Sequence, residues 1–133
     1  MAVVWSDAYS TGEPEIDKQH KILFQYLDDL EAHMNTGDIN DTYVKDLLDK
    51  LGIFTRSHFC YEEICMRRYK CPIGAKNKEI HTKLLKTYTE YRHQFEIQGV
   101  SEDLIQKVHD FLESWLLNHI IKIDTQLRPC IEG

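Results

Sequence analysis

Polar side chains that could bind a metal stand in the apolar helical seams of this sequence. His20 lies between Ile16 and Leu23 at steps of four and three residues, and His58 follows Phe54 by four. Such steps place residues on one face of a helix, the face that packs into a core. Burying a polar group there is costly unless a partner compensates for it. A metal ion is the simplest partner that several such groups could share.

Two pairs at helical spacing extend this set of candidate ligands. His58 and Glu62 are four residues apart, so they project from one helix face one turn apart. Asn77 and His81 have the same spacing and open the next apolar seam. The pairing of His58 with Glu62 favours metal binding over an isolated core histidine, although this spacing alone is weakly specific.

The last apolar stretch carries two further candidates at a spacing that does not fit a single seam. His119 and Asp124 are five residues apart, which is about 140° around a regular α-helix. Asp124 belongs instead to a neighbouring stripe with Leu116, Ile120 and Leu127. We expect this helix to present a broad inward face from which both groups reach the centre.

The donor types narrow the choice of metal. Four imidazoles and two carboxylates exceed the four ligands of a single zinc ion. Calcium and magnesium prefer oxygen ligands, whereas imidazole with a few carboxylates suits iron, manganese or zinc. Two carboxylates that could bridge indicate a pair of irons. The alternative for each residue alone is a hydrogen-bonded core side chain; Glu62, for instance, could pair with Arg56, Arg67 or Arg68.

Four helices are predicted to position these residues. Turn formers at 35–41, Pro72 and Gly99 interrupt the helical pattern. The predicted elements are an irregular arm over residues 1–14 and helices over about residues 15–35, 41–69, 73–97 and 101–128. Short loops force antiparallel neighbours, so we predict an all-α, up-down-up-down four-helix bundle forming a single domain over residues 1–133. This topology brings all the candidate ligands to within a few turns of one level.

Several residues outside the ligand set are expected to serve packing or to face solvent. The arm should cover one side or end of the bundle with its apolar residues, Val3, Val4, Trp5 and Tyr9. The cysteines form no CxxC pair and are expected to be free thiols in a reducing compartment: Cys60, Cys65, Cys71 and Cys130. Three histidines lie off the ligand directions and are expected to face solvent: His33, His93 and His109.

Composition excludes several classes of protein. The 133 residues are 42% hydrophobic and 29% charged, which is typical of one soluble globular domain. A net charge of −6 argues against binding to nucleic acid. No apolar run approaches the roughly 20 residues that span a bilayer. The first ten residues have neither the basic nor the apolar region of a signal peptide, so we expect a cytoplasmic protein.

The motifs together resemble the hemerythrin family. The resemblance rests on four segments in this order: Asp17-Lys18-Gln19-His20-Lys21, His58-xxx-Glu62, the pair ending at His81, and Trp115-Leu116-Leu117-Asn118-His119-xxxx-Asp124. It runs over essentially the whole chain, and the set is highly specific. Trp5-Ser6 and the chain length resemble bacteriohemerythrin, the single-domain bacterial form.

The resemblance implies a non-haem centre of two iron ions, bridged by an oxo or hydroxo group, with dioxygen as ligand. One iron would take the counterparts of His20 and His58 and keep an open position. The other takes three histidines in the family, of which His81 and His119 are present here. The two bridging carboxylates would be those of Glu62 and Asp124.

The resemblance also implies a function without catalysis: reversible binding of dioxygen by a monomeric carrier, store or supplier. An oxygen-consuming enzyme would be the recipient. A dry pocket for dioxygen would be lined by Leu23, Phe59, Trp115 and Leu116. A third hypothesis, oxygen or iron sensing, is less favoured because the chain carries no output domain.

One position departs from the family pattern. Asn77 stands where the family has the first histidine of a His-xxx-His pair on the third helix. An amide oxygen is a weaker ligand for iron than imidazole. Three interpretations are open: Asn77 coordinates weakly, water fills the position, or the residue is a natural or engineered change that loosens one iron. All three favour the alternative function, a di-iron enzyme or detoxifier that reacts irreversibly with oxygen or peroxide.

Overall fold

The computed structural model describes residues 5–121 and 124–132. Its four long helices are α1 (Pro14–Asn35), α2 (Asp41–Arg68), α3 (Gly74–Gln98) and α4 (Glu102–Trp115). A π-helical segment (Leu116–Ile120) continues α4, and a 3₁₀ turn (Asp124–Gln126) leads into α5 (Leu127–Glu132). Both α1 and α3 pack against α2 and α4, which closes an antiparallel ring. The predicted all-α four-helix bundle is confirmed.

Side chains fix where the helices begin. Glu13, Asn40 and Ser101 accept hydrogen bonds from first-turn backbone N–H groups at 2.7, 2.9 and 3.1 Å. Each bond satisfies a donor that has no partner within the helix. Gly99 ends α3 with a φ of +78°, a conformation that favours glycine. The breaks in the helical pattern therefore lie where the sequence predicts them, with α3 beginning two residues after Pro72.

The fourth predicted helix, over residues 101–128, does not run as a regular α-helix. The α-helix ends at Trp115, and the π-helical segment begins at the next residue. In a π turn each N–H bonds to the carbonyl five residues earlier, so the turn is wider than an α-helical one. His119 lies in this segment, and its Nε2 is 3.1 Å from Oδ1 of Asp124, so the two side chains meet although they are five residues apart in sequence.

Apolar side chains fill the bundle on both sides of the polar layer. Leu27, Leu30, Val44, Phe95 and Ile105 are buried toward one end, where the α1–α2 and α3–α4 loops lie. A second cluster packs at the other end: Ile16, Cys65, Met66, Cys71 and Leu127. The candidate ligands therefore lie in a layer closed off from solvent at both ends. None of the helices in the described part of the chain combines the length and apolarity needed to cross a lipid bilayer.

The N-terminal arm packs on the bundle as the sequence predicts, although Val3 and Val4 lie outside the described residues. Trp5 and Tyr9 contact Phe24 with ring centroids 5.8 and 6.2 Å apart. Asp17 of α1 accepts hydrogen bonds from the backbone N–H and the hydroxyl of Thr11 at 2.8 and 2.9 Å. These contacts attach the arm to the start of α1.

The prediction of four free thiols is wrong for two of the cysteines. Cys71 in the α2–α3 loop and Cys130 in α5 form a disulfide, with their Cα atoms 5.6 Å apart. They are 59 residues apart in sequence, so only the fold brings them together. Cys60 and Cys65 are not disulfide-bonded, as predicted.

One of the three histidines expected to face solvent does not. His93 is exposed, and half-buried His33 accepts a hydrogen bond from the Asn40 backbone N–H at 3.0 Å. His109 is buried, at 5% exposure. The reason is a second inward stripe on α4, in which His109 follows Ile105 by four residues and precedes Leu112 by three.

Candidate metal centre

Four histidines and two carboxylates meet in one buried layer of the bundle. Three of the helices contribute His20 from α1, His58 and Glu62 from α2, and His81 from α3. The π-helical segment contributes His119, and the 3₁₀ turn contributes Asp124. Each residue is at most 3% exposed. The structure thus brings together all six of the imidazole and carboxylate ligands proposed from the sequence.

These side chains form two groups that share the same two carboxylates. One group contains the His20 and His58 imidazoles, and the other contains those of His81 and His119. Within each group the potential ligand atoms lie within 4.8 Å of one another. Each group therefore offers two imidazoles and two carboxylate oxygens, which suits an ion such as iron, manganese or zinc.

Glu62 directs one oxygen toward each group. Its Oε2 atom lies 3.1 Å from Nε2 of His20 and 3.3 Å from Nε2 of His58. Its Oε1 atom lies 3.1 Å from Nε2 of His81 and 4.0 Å from Nε2 of His119. A carboxylate with this orientation can contribute one oxygen to each of two metal ions.

The two carboxylate oxygens of Asp124 also point toward different histidine groups. Oδ2 lies 3.1 Å from Nε2 of His20, and Oδ1 lies 3.1 Å from Nε2 of His119. Neither oxygen makes a hydrogen bond with the residues that the structure describes, although the side chain is fully buried. Leaving a buried polar atom unsatisfied costs about 1–3 kcal/mol. Two metal ions would satisfy both oxygens, so this donor set fits a pair of cations.

The positions of the histidine nitrogens also favour metal binding over hydrogen bonds between the histidines. Nε2 of His58 makes no hydrogen bond within the described residues. Nε2 of His81 and Nε2 of His119 lie only 3.0 Å apart. Two neutral imidazoles cannot both present lone pairs at that distance without repulsion, unless a proton or a cation lies between them. A metal ion would use both lone pairs.

Electrostatics in the layer favour positive charge. Burial by itself lowers the pKa of His20, but the carboxylates of Asp124 and Glu62 more than offset this and raise it to about 9. Burial by itself raises the pKa of Glu62, but His58 and His20 hold it well below its usual range. For His58 burial outweighs the nearby carboxylates and lowers the pKa, which favours the neutral form that metal ligation requires.

Residues 11–131 match the family model described as the Hemerythrin HHE cation binding domain. The chain belongs to the hemerythrin family. It is 31% identical over 118 residues to a bacteriohemerythrin of Stenotrophomonas maltophilia, a match that covers 89% of this chain and 74% of that protein. With a bacteriohemerythrin of Methylococcus capsulatus the identity is 30% over 132 residues, covering 98% of each chain.

A solved structure agrees with this assignment. The bundle superposes on a crystal structure of wild-type hemerythrin with a TM-score of 0.82 at 28% identity, covering 100% of both chains. The resemblance recognised in the sequence motifs is therefore confirmed. Hemerythrins are oxygen-binding proteins of non-haem iron and are not enzymes, so the expectation of a non-catalytic function agrees with the family.

Two residues that were not predicted as site residues orient two of these histidines from outside the layer of candidate ligands. Nδ1 of His58 lies 2.6 Å from Oε1 of Gln19, and Nδ1 of His81 lies 3.0 Å from Oε2 of Glu63. Both oxygens are acceptors, so each Nδ1 carries the proton and each Nε2 presents its lone pair to the centre. Gln19 and Glu63 directly adjoin candidate ligands in sequence, and this adjacency is the signal that could have identified them.

Asn77, the departure from the hemerythrin pattern, lies inside the same layer. Its side chain is fully buried, and Nδ2 donates a hydrogen bond to Oε1 of Glu62 at 2.8 Å. Nδ2 also lies 3.1 Å from the sulfur of Met66, while Oδ1 has no hydrogen-bond partner in the part of the chain that the structure describes. The amide therefore contacts the carboxylate that faces both histidine pairs.

Three of the four residues proposed to line a dioxygen pocket surround an apolar cavity. Leu23, Trp115 and Leu116 contribute to its walls, and its volume is about 20 Å³. Phe59 lies elsewhere, stacked on the His81 ring with centroids 3.7 Å apart. Trp115 also stacks on His119, at 4.9 Å. The two aromatic rings fix the orientation of two imidazoles.

Proposed function

We propose that this chain binds dioxygen reversibly at a pair of iron ions in the bundle core, as a carrier, store or supplier. In this proposal, His20 and His58 hold one iron, and His81 and His119 hold the other. The bridging carboxylates are those of Glu62 and Asp124. When bound, ferrous ions would supply the electrons and the open coordination position that dioxygen requires. The observation that supports the proposal is that Glu62 and Asp124 each direct one carboxylate oxygen toward each pair of histidines.

Asn77 has a positioning role in this proposal. Its amide N–H holds Oε1 of Glu62, so it restrains the carboxylate shared by the two groups. Without an imidazole at this position, the iron at His81 and His119 has one protein ligand fewer than in the family pattern. We expect that iron to be held less tightly than its neighbour.

The apolar cavity is proposed to receive dioxygen and to keep water away from it. A cavity of about 20 Å³ holds roughly one molecule the size of water, and an apolar cavity stays dry. The Thr55 hydroxyl on its wall donates to the Leu51 carbonyl at 2.7 Å, so its proton is not directed into the cavity. Leu116 lies three residues before His119 and Leu23 three after His20, which places the cavity beside the iron layer. Excluding water limits the proton supply on which oxidative loss of dioxygen depends.

Asn77 also supports a second candidate function, a di-iron enzyme or detoxifier that consumes oxygen or peroxide. An iron with fewer protein ligands has a further position at which peroxide or water could react. The two functions differ in the fate of dioxygen, because a carrier returns it and an enzyme reduces it.

Cycling the ferrous protein between air and vacuum distinguishes these functions. A carrier develops a visible absorption band in air that bleaches under vacuum and returns over repeated cycles, while an oxygen electrode records uptake that stops at one dioxygen per iron pair. Continued uptake in the presence of a reductant, or a band that never bleaches, would establish the second function instead. Metal-free protein is the control in both measurements.

A further inference from the structure

A second group of potential metal ligands lies at the α1–α4 interface, outside the iron layer. Glu31 of α1 and His109 and Glu113 of α4 place one ligand atom each within 4.8 Å of one another. His109 precedes His119 by ten residues, a separation of about 15 Å along a helix. The cluster is therefore separate from the proposed irons and does not depend on their assignment.

His109 is the buried member that points into this cluster. Its side chain is only 6% exposed, and Nε2 makes no hydrogen bond to any residue in the described part of the chain. Nδ1 lies 3.1 Å from Oδ1 of Asp110, an acceptor, so Nδ1 carries the proton. The Nε2 lone pair then faces Oε2 of Glu31. A histidine oriented by a carboxylate on one nitrogen, with the other nitrogen unpartnered, is the usual arrangement of a metal ligand.

The spacing of the three ligand atoms fits an ion placed between them. Nε2 of His109 lies 3.5 Å from Oε2 of Glu31 and 3.9 Å from Oε2 of Glu113. These separations are too long for good hydrogen bonds. Ligand atoms bound tetrahedrally at about 2.0–2.1 Å lie roughly 3.3 Å from one another. Small side-chain movements would bring the cluster to that geometry.

The surroundings of the cluster carry excess negative charge. Among residues 5–121 and 124–132, Oε2 of Glu113 has no hydrogen-bond partner although the atom is buried, and the same holds for Oδ1 of Asp28, three residues before Glu31. Burial, followed by the charges of Glu31 and Asp29, raises the pKa of Asp28. A cation at the cluster would relieve this repulsion. The side chains of Glu31 and Glu113 remain 16% and 30% exposed, which leaves an ion access from solvent.

We infer that Glu31, His109 and Glu113 bind one divalent transition-metal ion, with water completing its coordination and Asp110 orienting His109. One imidazole and two carboxylates suit Zn²⁺, Fe²⁺ or Mn²⁺ and do not favour Ca²⁺ or Mg²⁺. Zn²⁺ binds most tightly of the three to such a site, so it is the appropriate probe.

Equilibrium dialysis of the iron-loaded protein against Zn²⁺, with zinc and iron measured in the same samples, tests this site. The wild-type chain should take up one Zn²⁺ per chain without losing iron. Glu113→Gln should weaken this uptake by about tenfold or more, since even residues outside a metal's direct ligands cost that much. Glu90→Gln, the same change at an exposed position of α3, should leave it unaltered.

NMR of the histidine rings provides the direct readout. Zn²⁺ should shift the Nε2 resonance of His109, and His109→Gln should abolish the zinc uptake. If that buried substitution unfolds the bundle, as judged by circular dichroism, the half-exposed Glu113→Gln variant decides the question. Three results would each overturn the inference: no uptake beyond the iron layer, zinc uptake matched by iron loss, or equal affinity in Glu113→Gln and Glu90→Gln.

Discussion

At the scale of single residues, the two buried carboxylates define the centre, because each of them faces both histidine pairs. Every other candidate ligand approaches only one of the two groups. An imidazole can be lost from one group while the other keeps its donors. Loss of a carboxylate removes a donor from both groups at once and leaves the histidines around it without their negative partner.

Glu62→Ala and Asp124→Ala are therefore expected to abolish the pairing of the irons. The measurements are iron per chain and the charge-transfer absorption of the oxidised protein, both of which should fall. Glu79→Ala, an exposed carboxylate on α3, is the matched control and should change neither. Full iron loading with an unaltered spectrum in either core variant would reject the bridging assignment.

Asn77→His is expected to strengthen the binding of the iron that His81 and His119 would hold. An imidazole is a better iron ligand than an amide, so iron should be lost more slowly to a chelator and the oxygenated form should autoxidise more slowly. Asn35→His adds an exposed histidine at the other end of the bundle and should have no effect on either rate. If Asn77→His also leaves both rates unaltered, residue 77 is not a ligand position in this chain.

Leu116→Ala is expected to speed autoxidation several-fold with little loss of iron. The shortened side chain widens the apolar cavity and admits water and protons. Leu30→Ala truncates a similarly buried leucine that does not line the cavity. Both variants should lose about 2–5 kcal/mol of stability, but only Leu116→Ala should autoxidise faster. Equal autoxidation rates in the two variants would mean that Leu116 only fills space in the hydrophobic core.

At the scale of elements, helix seams and turn residues predicted α1, α2 and α3 almost to their ends, because apolar periodicity and capping are local signals. The segment after α4 was not predictable in the same way. Residues 116–120 contain no glycine or proline that would mark a wider turn. Its π geometry accompanies the placement of His119 and Asp124 in one layer, which depends on the other three helices.

The disulfide between the α2–α3 loop and α5 leads to a prediction about the stability of the fold. Closing a loop of 59 residues stabilises the fold by at most about 4 kcal/mol in the chain-entropy model. Cys130→Ser should lower the free energy of unfolding by about 2–4 kcal/mol, as measured by denaturant titration without reductant. Cys60→Ser removes an exposed free thiol and should be neutral. A wild-type protein whose stability is unchanged by reductant would argue against the bond.

At the scale of the whole molecule, the bundle places a polar layer between two apolar clusters. Its antiparallel topology followed from short loops, and that topology placed all six imidazole and carboxylate candidates at one level. The sequence could not supply what depends on packing between helices. The contact of Asn77 with Glu62 and the pairing of Cys71 with Cys130 are of this kind. The stripe through His109 is visible in the sequence, but its burial depends on how α4 packs against its neighbours.

The proposed function depends on two iron ions that this layer would hold between Glu62 and Asp124. Iron analysis combined with Mössbauer spectroscopy of the oxidised, iron-loaded protein tests this arrangement most directly. We expect two irons per chain whose spins are coupled, with no paramagnetic ferric signal, and loss of the coupling in Asp124→Ala. One iron per chain, or two uncoupled irons, would contradict it.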